Sequence, residues 1–264
     1  MDNNDKPNGP ELYRFALGLE YDGSAYNGWQ IQDNAPSIQA SLNSAISKVA
    51  DDAVSCVGAG RTDTGVHASG QIVHFDSHAR RAPRSWLLGI NSNLPDDISV
   101  IWVQSVGPDF HARYSATGRT YRYVILNRPV RSALARLRAW WIHQPLDEEG
   151  MFVAAKSLIG THDFSSFRAA GCQSKTPVRE MRRFDIRRTR EWIVIECEAN
   201  AFLHHMVRNI VGTLVTIGRG DAAPGWIETL LRARDRTAAG ITAPSMGLTL
   251  TRVEYPPEFG IRVT

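Results

Sequence analysis

The stretch best equipped for chemistry in this 264-residue chain is Gly58-Ala59-Gly60-Arg61-Thr62-Asp63-Thr64-Gly65-Val66-His67-Ala68-Ser69-Gly70. Its four glycines permit positive φ and close backbone approach. A guanidinium and a carboxylate, Arg61 and Asp63, sit two residues apart in the middle. Apolar segments flank it, Ala53-Val54-Ser55-Cys56-Val57 before and Ile72-Val73-His74-Phe75 after. The pattern predicts strand, glycine-rich loop, strand, with one carboxylate held at the loop tip. Loops on a rigid scaffold are where chemistry concentrates. Spacing alone equally accommodates an exposed Arg–Asp pair, which contributes little. A phosphate-cradling loop is excluded, because no Gly-Lys-Ser/Thr follows and the next segment alternates instead of turning helical. His67, His74 and His78 with Asp76 are the candidate zinc ligands. His74 and Asp76 fall on a strand with solvent-side alternation, and there is no helical H-E-x-x-H, so no metal site is expected. One carboxylate without metal or cofactor suits a reaction free of redox or phosphoryl transfer.

The elements that must position this loop follow from periodicity. Phe15, Leu17 and Leu19 alternate in a strand over Tyr13–Tyr21. Asp22-Gly23-Ser24 turns it into an aromatic loop, Tyr26 to Gln30, whose Trp29 is expected in the core. Ser37 precedes a helical stripe of Ile38, Leu42, Ala45, Ile46 and Val49. A strand from Gln71 to Asp76, a short helix opened by Pro83 and a strand over Ile98–Val106 complete the first half. Strand, helix, strand, strand, helix, strand resembles a split βαβ unit.

Gly107-Pro108-Asp109 marks a candidate boundary. Phe110-His111-Ala112-Arg113-Tyr114 interleaves basic and aromatic groups, as stacking on and clamping of RNA require; an ordinary linker is the alternative. Thr120–Leu126 is predicted as a strand, with Tyr121, Tyr123 and Ile125 on one face. Arg128, Arg131, Arg136 and Arg138 follow, either a solvated face or phosphate contacts. A helix is predicted over Asp147–Ile159, with Phe152, Ala155 and Leu158–Ile159 as its apolar residues. Asp163–Arg168 reads as a turn, Ala169–Pro177 as a small polar loop, and Arg179–Arg188 with Trp192–Ala199 as a hairpin. Leu203–Ile217 is predicted as an amphipathic helix, placing His204 and Arg208 one turn apart. A helix over Trp226–Ala233 and a strand over Leu248–Val253 close the chain. Residues 1–11 are expected to be a disordered leader, 12–108 an α/β domain carrying the aspartate loop, and 109–264 an arginine-rich α/β domain.

Charge sharpens the division. The net charge is +3, but residues 1–110 carry −6 and residues 111–264 carry +9. Arginine supplies 26 of the 30 basic residues, and its planar fork suits phosphate and base edges. The second half therefore has the character of a polyanion-binding surface. No run of 18 apolar residues exists, Met1–Pro10 lacks the apolar region of a signal peptide, and the three cysteines are widely spaced. These features lead to an expectation of a reduced, cytoplasmic, non-membrane protein.

Several motifs resemble, in order along the chain, those of the tRNA pseudouridine synthase A family. They are Tyr21-Asp22-Gly23-Ser24 with Gly28-Trp29-Gln30, Gly60-Arg61-Thr62-Asp63-x-Gly65-Val66-His67-Ala68, and Phe110-His111-Ala112-Arg113. Arg119-x-Tyr121-Arg122-Tyr123, Asp163-Phe164-x-Ser166-Phe167-Arg168, Ala201 to Asn209 and Gly247-Leu248 continue the series. The resemblance implies an α+β fold of two ferredoxin-like (RRM-like) domains with antiparallel sheets joined around a central cleft. It also implies isomerisation of uridine to pseudouridine at positions 38, 39 and 40 of the tRNA anticodon stem-loop, by a homodimer, without cofactor. Asp63 matches the nucleophile, Arg208 its basic partner, Arg61 the base-flipping arginine and Tyr121 the active-site tyrosine. Extruding a stacked base costs a few kcal/mol, and an arginine filling the gap offsets part of it. Tyr121 is expected to stack on the uracil or take its C5 proton; a free phenol, with pKa about 10, is a poor base. Arg81, Phe110, His111, Arg113, Tyr114, Gln173, Ser174 and Lys175 are counted with Tyr121 and Arg61 as substrate contacts. Ile31 and Thr249 depart from the family pattern, in an RNA contact and a pocket wall. The alternatives are an RNA-binding module in which Asp63 only pairs with Arg208, and a hydrolase using the histidines and a metal.

Overall fold

The computed structural model describes residues 11–262; the expected leader, apart from Glu11, lies outside them. Strand β1 (Tyr13–Tyr21) lies between β3 (His67–Ser77) and β4 (Ile98–Val106), antiparallel to both. Short β2 (Cys56–Gly58) pairs with β3. Helix α1 (Ile38–Ala50) begins where the Ser37 hydroxyl accepts from the Ala40 N–H at 3.3 Å, an N-cap. Helix α2 (Pro83–Asn91) opens on proline, whose missing N–H has no partner to lose at that position. Both pack with Ile38, Leu42, Ile46, Trp86 and Ile90 buried.

The second half repeats the order. Strand β5 (Gly118–Asn127), with β6 (Trp140–Ile142) along part of it, leads to α3 (Glu148–Ala155), capped by Asp147. Strands β7 (Gly160–Asp163), β8 (Val178–Thr189) and β9 (Trp192–Ala199) follow, then α4 (Met206–Gly218), α5 (Trp226–Ala233) and β10 (Leu248–Glu254). The strands form one ten-stranded sheet along the path β4-β1-β3-β10-β5-β9-β8-β7, with β2 beside β3 and β6 beside β5, so the expected antiparallel sheets are joined into a single one. The seam is a short parallel pairing, Thr249 with His67 and Leu250 with Ala68. Antiparallel ladders on both sides make the sheet mostly antiparallel. One apolar cluster runs through both halves.

Four local expectations change. Strand β3 starts at His67, not Gln71, because His67 and Ala68 find ladder partners on β10 and β1. Helix α4 starts at Met206, not Leu203, because His205 takes a left-handed φ of 60° that no helix continues. His204 therefore precedes the helix and does not share a face with Arg208. The helix predicted over Asp147–Ile159 ends at Ala155, with a 3-10 turn over Lys156–Leu158 after it; Met151, Ala154, Ala155 and Leu158 are buried, while Phe152 and the following Ile159 are exposed. His74, placed on a solvent-side face by alternation, is buried, since β3 is covered on both faces over most of its length.

Candidate active site

The loop between β2 and β3 presents Asp63 at the seam. Buried Gln71 on β3 brackets Gly60, donating to its carbonyl at 2.7 Å and accepting from its N–H at 3.3 Å. The Thr62 hydroxyl meets the Tyr21 hydroxyl at 2.8 Å, and Trp29 donates its N–H to the Thr62 carbonyl at 3.0 Å. The Val66 N–H donates to the Asp63 carbonyl at 3.1 Å, closing a four-residue turn with Gly65 third at φ +75°. That position demands positive φ, which glycine adopts without strain. Gly28 lies at φ +91°, and a Cβ there would stand 2.5 Å from the Thr62 carbonyl oxygen. Glycine thus lets the aromatic loop lie against the backbone that carries Asp63.

The other half supplies the cations. Arg208 on α4 donates from Nη1 to Asp63 Oδ2 at 3.1 Å and from Nε to the Ala243 carbonyl at 2.8 Å. His205 Nε2 lies 3.4 Å from the same oxygen, and His204 Nε2 lies 3.6 Å from Oδ1. Burial lowers the pKa of His205 more than the Asp63 carboxylate raises it, so the imidazole is neutral. Asp63 is about one-fifth exposed, shielded yet reachable. Asp63, His204 and His205 offer ligand atoms within 4.8 Å of one another, a set chemically able to hold a divalent cation. Arg208 already takes the Oδ2 side of that set. The histidines singled out in sequence are used differently. His67 accepts from the Gly23 N–H at 3.2 Å, and His74 accepts from the Ala112 N–H at 3.1 Å.

Tyr121, on β5, lines the same cleft, its ring meeting Phe202 edge-on at 5.0 Å. Burial holds its phenol well above the ordinary range; the Tyr21 hydroxyl and the Asp63 carboxylate push the same way and Arg119 opposes them. The phenol is therefore neutral near pH 7. Arg119 donates to four carbonyls, those of Ala59, Arg113, Ala116 and Asn200, and so ties the base of the Asp63 loop to the 113–116 segment.

The cleft holds about 1080 Å³. Asp63, Tyr121, Arg208, Arg61 and Arg113 line it, as do Gln173 and Ser174. Arg61 donates to Gln173 Oε1 at 3.0 Å, joining the aspartate loop to the 169–177 loop. Five sequence candidates do not line it: Arg81, Phe110, His111, Lys175 and Tyr114. Arg81 and Lys175 are exposed elsewhere. The Phe110 side chain is fully buried against Tyr255, Phe259 and His74, which leaves no face for a nucleotide; it anchors the segment instead. Tyr114 is 77% exposed and stacks on His111 at 4.3 Å, outside the cleft. His111 accepts from the N–H groups of Arg113 and Tyr114, which shapes that turn. Sequence reasoning gave no role to His205, Arg119 or Gln71. The first two lie inside the motifs quoted above, but only the fold places them around Asp63.

A family model described as tRNA pseudouridine synthase matches residues 19–115 and 154–256. The chain belongs to the tRNA pseudouridine synthase A family. Relatives given that name include a protein of Coxiella burnetii, 52% identical over 248 residues, which cover 94% of this chain and 95% of that one. A Methylococcus capsulatus protein is 53% identical, covering 94% and 92%. One from Pseudoalteromonas atlantica is 51% identical, covering 94% of both. In this member of the family the two matched segments meet at the site. Asp63 comes from the first and Arg208 from the second, whereas Tyr121 lies between them. No helix among the described residues is long and apolar enough to cross a membrane.

Proposed function

We propose that this chain isomerises uridine to pseudouridine at positions 38, 39 and 40 of the tRNA anticodon stem-loop, with Asp63 as nucleophile and no cofactor. The reading rests above all on the Asp63–Arg208 pair at 3.1 Å, held on the seam and facing a cleft that Tyr121 also lines. In this reaction the N-glycosidic bond breaks, the uracil rotates, C5 bonds to C1′, the bond to Asp63 is released, the C5 proton leaves and N1 takes up a proton. Atoms balance without an external reagent. Asp63 attacks as the carboxylate, and Arg208 orients it through the 3.1 Å hydrogen bond. Arg61 enters the stack vacated by the extruded base. Tyr121, neutral and buried, supports the uracil by stacking.

The proposal extends to the assembly. With β6, β7 and α5 set aside as additions to the second half, each half traces strand, helix, strand, strand, helix, strand, with equivalent strand paths β4-β1-β3-β2 and β10-β5-β9-β8, which supports two ferredoxin-like units fused edge to edge. The division falls at residues 108–109. The protein works as a cytoplasmic homodimer with tRNA as its partner. Arg113, His111, Tyr114, Gln173, Ser174 and Lys175 contact the RNA, and Arg81 extends that surface.

Tritium release from C5-labelled tRNA tests the activity. Asp63→Asn is expected to bind tRNA like the parent and release no tritium above background. Turnover by that variant would overturn the role of Asp63. Tritium retention by the parent would overturn the reaction and favour an RNA-binding module.

A further inference from the structure

Arg168 and Arg179 meet at the 169–177 loop, where Arg179 lines the cleft and Arg168 does not. Arg168 donates to the Cys172 and Ser174 carbonyls at 2.7 and 2.9 Å. Arg179 donates from Nη2 to the Ser174 hydroxyl and from Nη1 to the Thr176 and Val178 carbonyls. Two guanidinium groups therefore converge on Ser174. Among the described residues neither has a carboxylate within 4.0 Å. Arg179 is only 8% exposed, and its buried Nε has no hydrogen-bond partner. Arg179 and Ser174 nevertheless line the cleft.

Buried charges are ordinarily paired, and an arginine that is neither paired nor fully hydrogen-bonded is costly. Burial depresses the Arg179 pKa, and the charge of Arg168 adds to that while Cys172 opposes it. Elsewhere the protein pairs its arginines readily: Arg14 with Asp76 and Arg188 with Glu148 are examples. Arg119 also lacks a carboxylate, but among the described arginines only Arg179 keeps a buried nitrogen without a partner, and it lines the cleft. The fork of a guanidinium matches the oxygens of a phosphate.

We infer that Arg179 and the Ser174 hydroxyl, with Arg168 holding the loop behind them, form a binding site for one phosphodiester of the RNA strand entering the cleft. The inference rests on the tRNA reading above. The phosphate supplies the counter-charge that the fold withholds, and it fixes the 169–177 loop. Through Gln173 that loop touches Arg61, so strand binding and placement of the base-flipping arginine are connected.

The test measures binding of an anticodon stem-loop hairpin to the full chain over a range of salt. Each phosphate contact contributes about 0.9 to the slope of log affinity against log salt. Arg179→Gln is expected to weaken binding about tenfold near 0.1 M salt and to flatten the slope by about 0.9. Arg179→Lys, keeping the charge, is expected to retain the slope. Ser174→Asp installs an internal counter-ion, so it is expected to raise the melting temperature while weakening RNA binding and flattening the slope. If Arg179→Gln fails to fold, Ser174→Asp decides. Unchanged slopes in the folded variants, with the parent releasing tritium from tRNA, would overturn the site and leave the enzyme assignment standing. A parent that binds the hairpin but releases no tritium would sink the enzyme assignment instead.

Discussion

Replacing Arg208 by glutamine tests the electrostatic core of the site. At 3.1 Å, and an effective dielectric of about 20, the attraction between Arg208 and the Asp63 carboxylate is roughly 5 kcal/mol. Both side chains retain some exposure, 15% and 20%, so water entering the truncated site recovers part of this. A net loss of about 3 kcal/mol remains, similar to removal of one preorganised donor from an active site. At 1.36 kcal/mol per factor of ten, the chemical step slows about 10²-fold. Glutamine removes the charge and also the Nε donation to the Ala243 carbonyl. Arg208→Lys keeps the charge but not that anchor, so it is expected to fall between parent and glutamine. The assay is single-turnover tritium release with saturating enzyme, together with hairpin affinity and thermal melting. The rate falls, the affinity stays within about threefold, and added guanidinium ion restores part of the loss in an Arg208→Ala variant. A folded Arg208→Gln that turns over at the parent rate would refute the reasoning. So would a loss carried wholly by binding.

Three further outcomes follow from the same geometry. Gly28→Ala puts a Cβ against the Thr62 carbonyl at positive φ, and is expected to cost about 2–3 kcal/mol in denaturant melts and to lower turnover by displacing Asp63. Arg119→Met leaves four carbonyls without their donor and is expected to destabilise the protein by about 3 kcal/mol, read as a shift in denaturation midpoint. Burial pushes the His74 pKa down to about 4, so the folded protein holds that ring neutral while the unfolded chain takes a proton near pH 6.5. Its contribution is fully present above pH 6.5 and is lost as pH falls toward 4. The expected loss is about 2 kcal/mol, absent from His74→Phe when the two unfolding curves are compared at pH 7 and pH 5.

Much of this was legible before the fold. Tyr13–Tyr21, Ile98–Val106 and Trp226–Ala233 have clean periodicity and sharp boundaries, and they stand where expected. The Asp63 loop was legible because glycine and a central acid are unusual between apolar strands, and Arg208 because the family motif names it. What was not legible depends on distant partners. Two-residue pairing across the seam carries almost no local signal, so two sheets were expected where one runs through. His205 breaks the helix with a φ that its residue type does not announce, and only tertiary contacts sustain it. Phe110 looked like an RNA-stacking aromatic because its neighbours are basic; its burial depends on Tyr255 and Phe259, about 150 positions away in the chain.

Strand β10 has a consequence for biosynthesis. It occupies the middle of the sheet, yet the ribosome makes it after every other strand. Until Leu248–Glu254 emerges, the stretches of β3 and β5 that it pairs are open edges, and the two halves are joined only by side-chain bonds such as Arg208–Asp63 and by Arg119. A truncation upstream of Leu248 therefore removes the strand that joins the two halves of the sheet and exposes an edge on each.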